Sequence, residues 1–206
     1  MKKALSILTA GCLAVSLAAC GSTAASSAAP AADSTASSAA ESTAASDTAA
    51  ADGQTYKVGI CQLVQHVALD AATQGFKDAL TEQLGDAVTF EEKNAQGDSN
   101  TCSTIINGFV SDNVDLILAN ATPALQAAQA GTNTIPVLGT SVTEYGVALG
   151  IDDFDGLVGT NISGTSDLAP LDEQAGIIKE LFPDAKSVGL LYCSAEPNSQ
   201  YEVDTV

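Results

Sequence analysis

From Tyr56 onward the sequence alternates between short apolar runs and longer amphipathic stretches, and few folds accept that order. Tyr56-Lys57-Val58-Gly59-Ile60-Cys61-Gln62-Leu63 reads as a buried strand. Asp70 to Leu84 reads as a helix, because Ala72, Phe76, Ala79 and Leu80 recur at i, i+4, i+7 and i+8. Val88-Thr89-Phe90-Glu91 is a second strand, and Ser99 to Asp112 a second helix with Cys102, Ile105, Ile106, Phe109 and Val110 on one face. Val114 to Ala121 is a third strand, apolar enough for burial on both sides. Thr122-Pro123 opens a third helix, with Thr as N-cap and Pro in the first turn. Ile135 to Val142 is a fourth strand. This order predicts an α/β fold: a parallel sheet flanked by helices, with right-handed crossovers. Ligands on such sheets bind beyond the carboxyl ends of the strands. Here those ends are the segments 62–70, 94–98, 120–123 and 140–145.

The stretch Glu144 to Thr160 is rich in Gly and Asp, and it admits a short strand at Val147–Ile151 or at Leu157–Asn161. Ser163-Gly164-Thr165-Ser166-Asp167-Leu168 then leads into a helix from Leu171 to Phe182. Ser187 to Cys193 reads as a further strand, followed by Ser194 to Ser199 and the first residues of a helix. A helix that has barely begun has nothing to pack against. The expectation is a chain truncated at its C-terminus, with most of a second lobe missing. The expected organisation is an N-terminal α/β lobe at 55–162 and a hinge with the start of a second, similar lobe at 163–206.

The N-terminal part follows different rules. Met1-Lys2-Lys3 is a basic start and Ala4 to Leu17 an apolar run too short to span a membrane comfortably. It ends in Leu17-Ala18-Ala19-Cys20, which looks like a bacterial lipobox. Residues 1–20 are therefore expected to be a lipoprotein signal peptide, with Cys20 as the lipidated first residue of the mature protein on the outer face of the cell membrane. Residues 21–54 are almost wholly small or polar. They lack large side chains whose burial would offset the entropy of ordering, so they read as a disordered Ser/Ala-rich stalk.

Charge narrows the partners. The 206 residues carry 25 acidic and 7 basic side chains, a formal net charge of −18. Such a surface repels phosphate backbones, which argues against nucleic acid. Cysteines at 12, 20, 61, 102 and 193 form no C-x-x-C pair, and His66 is the only histidine, so neither a zinc site nor a redox motif is expected. Cys61, Cys102 and Cys193 lie in apolar segments and read as buried structural thiols. There is no Gly-x-Ser-x-Gly elbow, no P-loop and no carboxylate pair beside metal-ligand candidates, hence no catalytic set and no cofactor motif.

Five motifs carry a resemblance. They are Gly59-Ile60-Cys61-Gln62-Leu63-Val64-Gln65-His66 with Leu69-Asp70; Asn94-Ala95-Gln96-Gly97-Asp98; Asp115-Leu116-Ile117-Leu118-Ala119 with Ala121-Thr122-Pro123-Ala124; Ser163 to Leu168; and Val188-Gly189-Leu190-Leu191-Tyr192 with Glu196 and Asn198-Ser199. In this order, behind a lipobox and stalk, they resemble the tryptophan/tyrosine-type ABC transporter substrate-binding proteins. The resemblance implies a periplasmic-binding-protein-like fold whose two lobes close on a small ligand, an amino acid or a similar molecule. It implies a non-enzymatic monomer that docks on ABC permease subunits. An extracellular sensory module of the same fold is the alternative reading. Two positions depart from the family: Val67 stands where Pro often follows the His, and Thr143-Glu144-Tyr145 where Thr-Asp-Pro is frequent.

The candidate ligand-binding residues follow from the strand ends and the resemblance. Gln62, His66 and Asp70 flank the first strand-to-helix loop, where Asp70 either caps the helix or meets ligand. Thr122 joins a hydroxyl to a helix N-terminus, an arrangement that suits a carboxylate; Ser141 and Thr143 follow the fourth strand and offer further donors. Asp167, beside Ser166, either pairs with a ligand ammonium or caps a turn. Glu196, Asn198 and Ser199 follow the second-lobe strand.

Overall fold

The computed structural model describes residues 53–206. The expected signal peptide at 1–20, lipidation at Cys20 and all but the last two residues of the expected stalk at 21–54 lie outside the described residues. Among these, five strands form one parallel sheet: β1 (Tyr56–Gln62), β2 (Val88–Asn94), β3 (Leu116–Asn120), β4 (Val137–Val142) and β5 (Ile162–Ser166), in the order β2-β1-β3-β4-β5. Helices α1 (Val67–Leu84), α2 (Ser99–Ser111), α3 (Thr122–Gly131) and α4 (Tyr145–Leu149) connect or follow the strands, and α5 (Leu171–Leu181) and α6 (Pro197–Thr205) come after the sheet. The α/β fold with a parallel sheet flanked by helices is therefore as the alternation predicts.

The two faces of the sheet are built by the period-two alternation of strand side chains. On one face Cys61, Leu63, Ile117, Ala119 and Val137 form a core with Cys102, Ile106 and Phe109 of α2, with Leu125 and Ala128 of α3, and with Tyr145 and Ala148 of α4. On the other, Val58, Ile60, Val88 and Leu118 pack beneath Phe76, Leu80 and Leu84 of α1. Cys61 and Cys102 are fully buried. A hydrogen bond shared with Cys102, together with burial, pushes the Cys61 thiol up from its ordinary range, which keeps it protonated and inert.

Several local expectations change. Helix α1 begins at Val67, ahead of Asp70, because His66 caps it: its Nδ1 accepts from the Ala68 amide at 3.2 Å. Strand β2 continues through Glu91-Glu92-Lys93 to Asn94. As an edge strand it tolerates charge, and Lys57 and Lys93 both pair with Glu91, at 2.8 and 3.5 Å. Thr122 is the first helical residue of α3, and Ala121 takes the cap position without a side-chain bond.

The Gly/Asp-rich stretch holds a helix, α4, where a strand at Val147–Ile151 was one expectation. Glu144 initiates it, accepting from the Gly146 and Val147 amides at 3.0 and 2.5 Å. The strand lies later than Leu157–Asn161, at Ile162–Ser166, across position 162 where the first lobe was expected to end. Ser187–Cys193 forms no strand, because the described residues give its backbone no ladder to join. Leu191 is fully exposed there, and Cys193, expected to be buried, is exposed too. No helix among the described residues is long and apolar enough to cross a membrane.

Candidate functional site

Register creates the site. Gln62 is the last residue of β1, and its partners in the neighbouring strands are Asn94, the last residue of β2, and Asn120, the last residue of β3. Three carboxamides thus stand in a row at the carboxyl edge, on the face that α1 covers. Such an edge is where parallel α/β sheets bind ligands.

The row is tied to α1 by a chain of hydrogen bonds. Asn120 Nδ2 donates to Leu69 O at 2.8 Å and to Thr73 Oγ1 at 2.9 Å. Thr73 Oγ1 donates to Gln62 Oε1 at 2.7 Å. Gln62 Nε2 donates to Asp70 Oδ1 at 2.6 Å and to Val64 O at 2.9 Å. Asn120, Gln62 and Thr73 are 0%, 2% and 3% exposed, so the chain starts in the interior, whereas Asp70 is exposed. Asn120 Oδ1 is buried and has no partner.

Beside this network lies a cleft of about 660 Å³, lined by Gln62, Asp70, Thr73, Asn94, Gln96 and Glu92, with Val64, Gln65 and Gln74 completing it. Its lining holds two carboxylates and no Lys, Arg or His. One of the two, Glu92, is paired with Lys77 at 3.0 Å. The cleft therefore presents two carboxylates, one of them paired with Lys77, among carboxamides that both donate and accept, and its Asp70 carboxylate favours a donor-rich or cationic group.

Backbone conformation marks the same edge. Gln96, Ala121 and Ser141 adopt φ of 57°, 91° and 54°, positions that non-glycine residues rarely occupy. Each stands at the carboxyl end of a strand, after β2, after β3 and within the end of β4. Strain of this kind persists only where the surroundings over-determine it, and it gathers at ligand clamps.

The sequence-derived candidates fall into separate groups. Gln62 and Asp70 share the cleft. His66 is exposed and caps α1, and Thr122 is 2% exposed in the first turn of α3; neither lines the cleft. At the β4–β5 end, Ser166 Oγ donates to Thr143 O at 2.6 Å, and the Asp167 amide donates to Val142 O at 3.0 Å. Thr143 Oγ1 donates to Glu202 Oε1 of α6 at 3.3 Å. Glu196 and Ser199 meet at the start of α6, where Ser199 Oγ donates to Glu196 Oε2 at 3.4 Å, and the nearby Asn198 Oδ1 is buried without a partner. Sequence reasoning missed Thr73, and it marked the strand ends 94–98 and 120–123 without singling out Asn94 or Asn120. Their signal is modest: an Asn closing the apolar β3, an Asn closing the charged β2, and one Thr on the buried face of an amphipathic helix.

The departure at Thr143-Glu144-Tyr145 has a structural consequence. Glu144 caps α4, and the Tyr145 ring lies over the paired glycines Gly139 and Gly164, its hydroxyl donating to Thr165 O at 3.3 Å. Burial, with a smaller contribution from the Asp167 carboxylate, pushes the Tyr145 phenol up to about 12. It is neutral at any physiological pH. Among the described residues no group of three or more His, Cys, Asp or Glu is placed to hold a metal ion.

The same architecture occurs in known proteins. A family model described as ABC transporter substrate binding protein matches residues 57–206. The tyrosine-binding protein of Clostridioides difficile is 37% identical over 210 residues, an alignment that takes in all of this chain and 56% of that protein. A conserved domain protein from Vibrio cholerae shares the fold with a TM-score of 0.68 and 36% identity, over 73% of this chain and 52% of that one. An ABC domain from Streptococcus pneumoniae, solved in complex with L-Trp, gives a TM-score of 0.68 and 33% identity over the same shares. The chain thus spans about half the length of these relatives. With the family model matching residues 57–206, nearly three quarters of the chain, the chain belongs to the ABC transporter substrate-binding protein family.

Proposed function

We propose that the protein is the substrate-binding component of an ABC importer, held outside the cell membrane by a lipidated Cys20, and that its cargo is an amino acid of the aromatic class. It captures the ligand between two lobes without chemical change, and closure is a population shift driven by contacts to both lobes. The observation that carries the binding role is the polar cleft at the carboxyl edge of β1 and β2, lined by Gln62, Asp70 and Asn94. The cargo class is supported by the relatives, one a tyrosine-binding protein and one solved with L-Trp. Among the sequence-derived candidates, Gln62 and Asp70 are assigned to the first-lobe side. Ser141, Thr143, Ser166 and Asp167 lie toward the β4–β5 end, and Glu196, Asn198 and Ser199 face the ligand from the second lobe. His66 caps the start of α1, and Thr122 is buried in the first turn of α3.

The test is calorimetric titration of the full-length protein with L-tyrosine, L-tryptophan, L-leucine and glucose. Saturable binding of an aromatic amino acid is expected. At one hundred times its dissociation constant the ligand should stabilise the folded state by about 2.7 kcal/mol. A folded protein that takes up none of the amino acids would sink this reading. The anchor is tested separately. Cys20→Ser is expected to move the protein from the membrane fraction to the soluble fraction, and unchanged fractionation would remove the lipid from the proposal.

A further inference from the structure

The hydrogen-bond chain behind the cleft has a direction, and the direction assigns roles. Asn120 spends both Nδ2 protons, on Leu69 O and Thr73 Oγ1. Thr73 accepts one bond and passes its own proton to Gln62 Oε1. Gln62 spends both Nε2 protons, on Val64 O and Asp70 Oδ1. No other orientation of the two amides satisfies these partners, since carbonyl and carboxylate oxygens only accept. Gln62 consequently has no N–H left to offer a ligand, although it lines the cleft. The bonds between side chains all run one way, from Asn120 to Thr73, from Thr73 to Gln62 and from Gln62 to Asp70.

We propose that Asn120, Thr73 and Gln62 act as a buried positioning relay that holds the Asp70 carboxylate at the cleft as the acceptor for the ammonium group of the ligand. This rests on the amino-acid-binding role proposed above and deepens it. Asp70 accepts a single bond from the relay, and a carboxylate has room for several more. It stands at the exposed end of the chain, on the cleft wall, where no cationic side chain competes for it. An ammonium group brings three donors and the opposite charge, and charge-assisted bonds are the strong ones. The relay is also poorly explained by stability alone. It leaves Asn120 Oδ1 buried and unpaired, a defect that an apolar residue at the same place would avoid.

The test separates ammonium recognition from the rest of binding. The full-length protein is titrated by calorimetry with L-tyrosine and L-tryptophan, with the amines lacking their carboxylate, tyramine and tryptamine, and with the corresponding acids lacking the amino group. Asp70→Asn keeps the shape and the bond from Gln62 but removes the charge. It is expected to weaken the amino acids and amines about 10–100-fold while changing the des-amino acids less than about threefold. Thr73→Val, nearly isosteric, interrupts the relay at its middle. It is expected to lower the preference for ammonium-bearing ligands in the same direction by a smaller factor, a change that a purely structural role would not produce. Should Thr73→Val fail to fold, the exposed Asp70→Asn variant still decides. If the wild type binds an amino acid and Asp70→Asn weakens it and its des-amino analogue by the same factor, or weakens neither, the relay is overturned and the binding role stands. If the folded wild type binds none of the ammonium-bearing compounds, both proposals are overturned.

Discussion

Phe109→Ala is expected to destabilise the protein by about 3–5 kcal/mol, the range for truncating a buried Phe. At this chain length that corresponds to a fall in Tm of roughly 6–20 °C. Phe109 is 1% exposed on the sheet-facing side of α2. It occupies a place made by Gly59 of β1: a Cβ at position 59 would come within 2.7 Å of the ring carbons Cγ and Cδ2. The missing side chain on the strand is what lets the ring approach the sheet this closely. Removing the ring leaves a cavity between α2 and β1, bounded by backbone that cannot collapse into it. A double-mutant cycle tests the account. Gly59→Ala alone is expected to cost about 1–3 kcal/mol through overpacking. In the Phe109→Ala background the same methyl enters the vacated space, and its cost should fall to near zero. Strict additivity, measured by thermal or urea unfolding, would show that the two residues do not share one packing site.

Gly59 and Phe109 illustrate what could be read before the structure was known. The face bearing Cys102, Ile106 and Phe109 was visible as a helical period, and β1 as an apolar run, but nothing in the order of residues announces which ring covers which glycine. The same distinction governs the site. Gln62 and Asp70 were accessible because they flank one loop, eight positions apart. Asn120 and Thr73 were not, since the relay depends on the register of β1 against β3 and on which side of the sheet α1 packs. A shift of one residue would have turned Asn120 to the opposite face. Where local signals were weak, tertiary structure decided. Ile162-Ser163-Gly164-Thr165-Ser166 has one apolar residue, and it becomes a strand only because β4 offers a ladder. Tyr145 to Leu149 is apolar enough for a strand, and becomes a helix because the Glu144 carboxylate satisfies its first amides. Ser187–Cys193 has the better strand composition and, lacking a ladder among the described residues, is not one.

The fifth strand supplies the second large expected effect. Gly164→Ala should cost about 1–3 kcal/mol, at the upper end of that range for overpacking. Gly164 is the register partner of Gly139 in β4, and the phenol of Tyr145 lies across both. A Cβ at 164 would collide with the Tyr145 hydroxyl and with the carbonyl oxygen and nitrogen of Gly139, the latter at 2.7 Å. A flexible side-chain tip can move aside. The backbone of a central strand cannot, so β5 itself has to retreat from β4. That retreat would loosen the ladder from Ile162 to Ser166 and displace Ser166 and Asp167, whose bonds to Thr143 O and Val142 O tie the end of β5 to the end of β4. Adding Tyr145→Phe isolates the share of the phenol, because it removes the hydroxyl and leaves in place both the Gly139 backbone and the φ of 157° at Gly164, which itself disfavours a side chain. The double variant is expected to stay destabilised. Full recovery of Tm would place the conflict in the phenol alone and refute the backbone argument. Gly75→Ala serves as the control: beyond its chain neighbours and the backbone of α1 itself, no atom lies within 4 Å of a Cβ built there, and the exchange is expected to be neutral or to stabilise by up to about 1 kcal/mol. Equal losses at 164 and 75 would mean that the close pairing of β4 and β5 contributes nothing of its own.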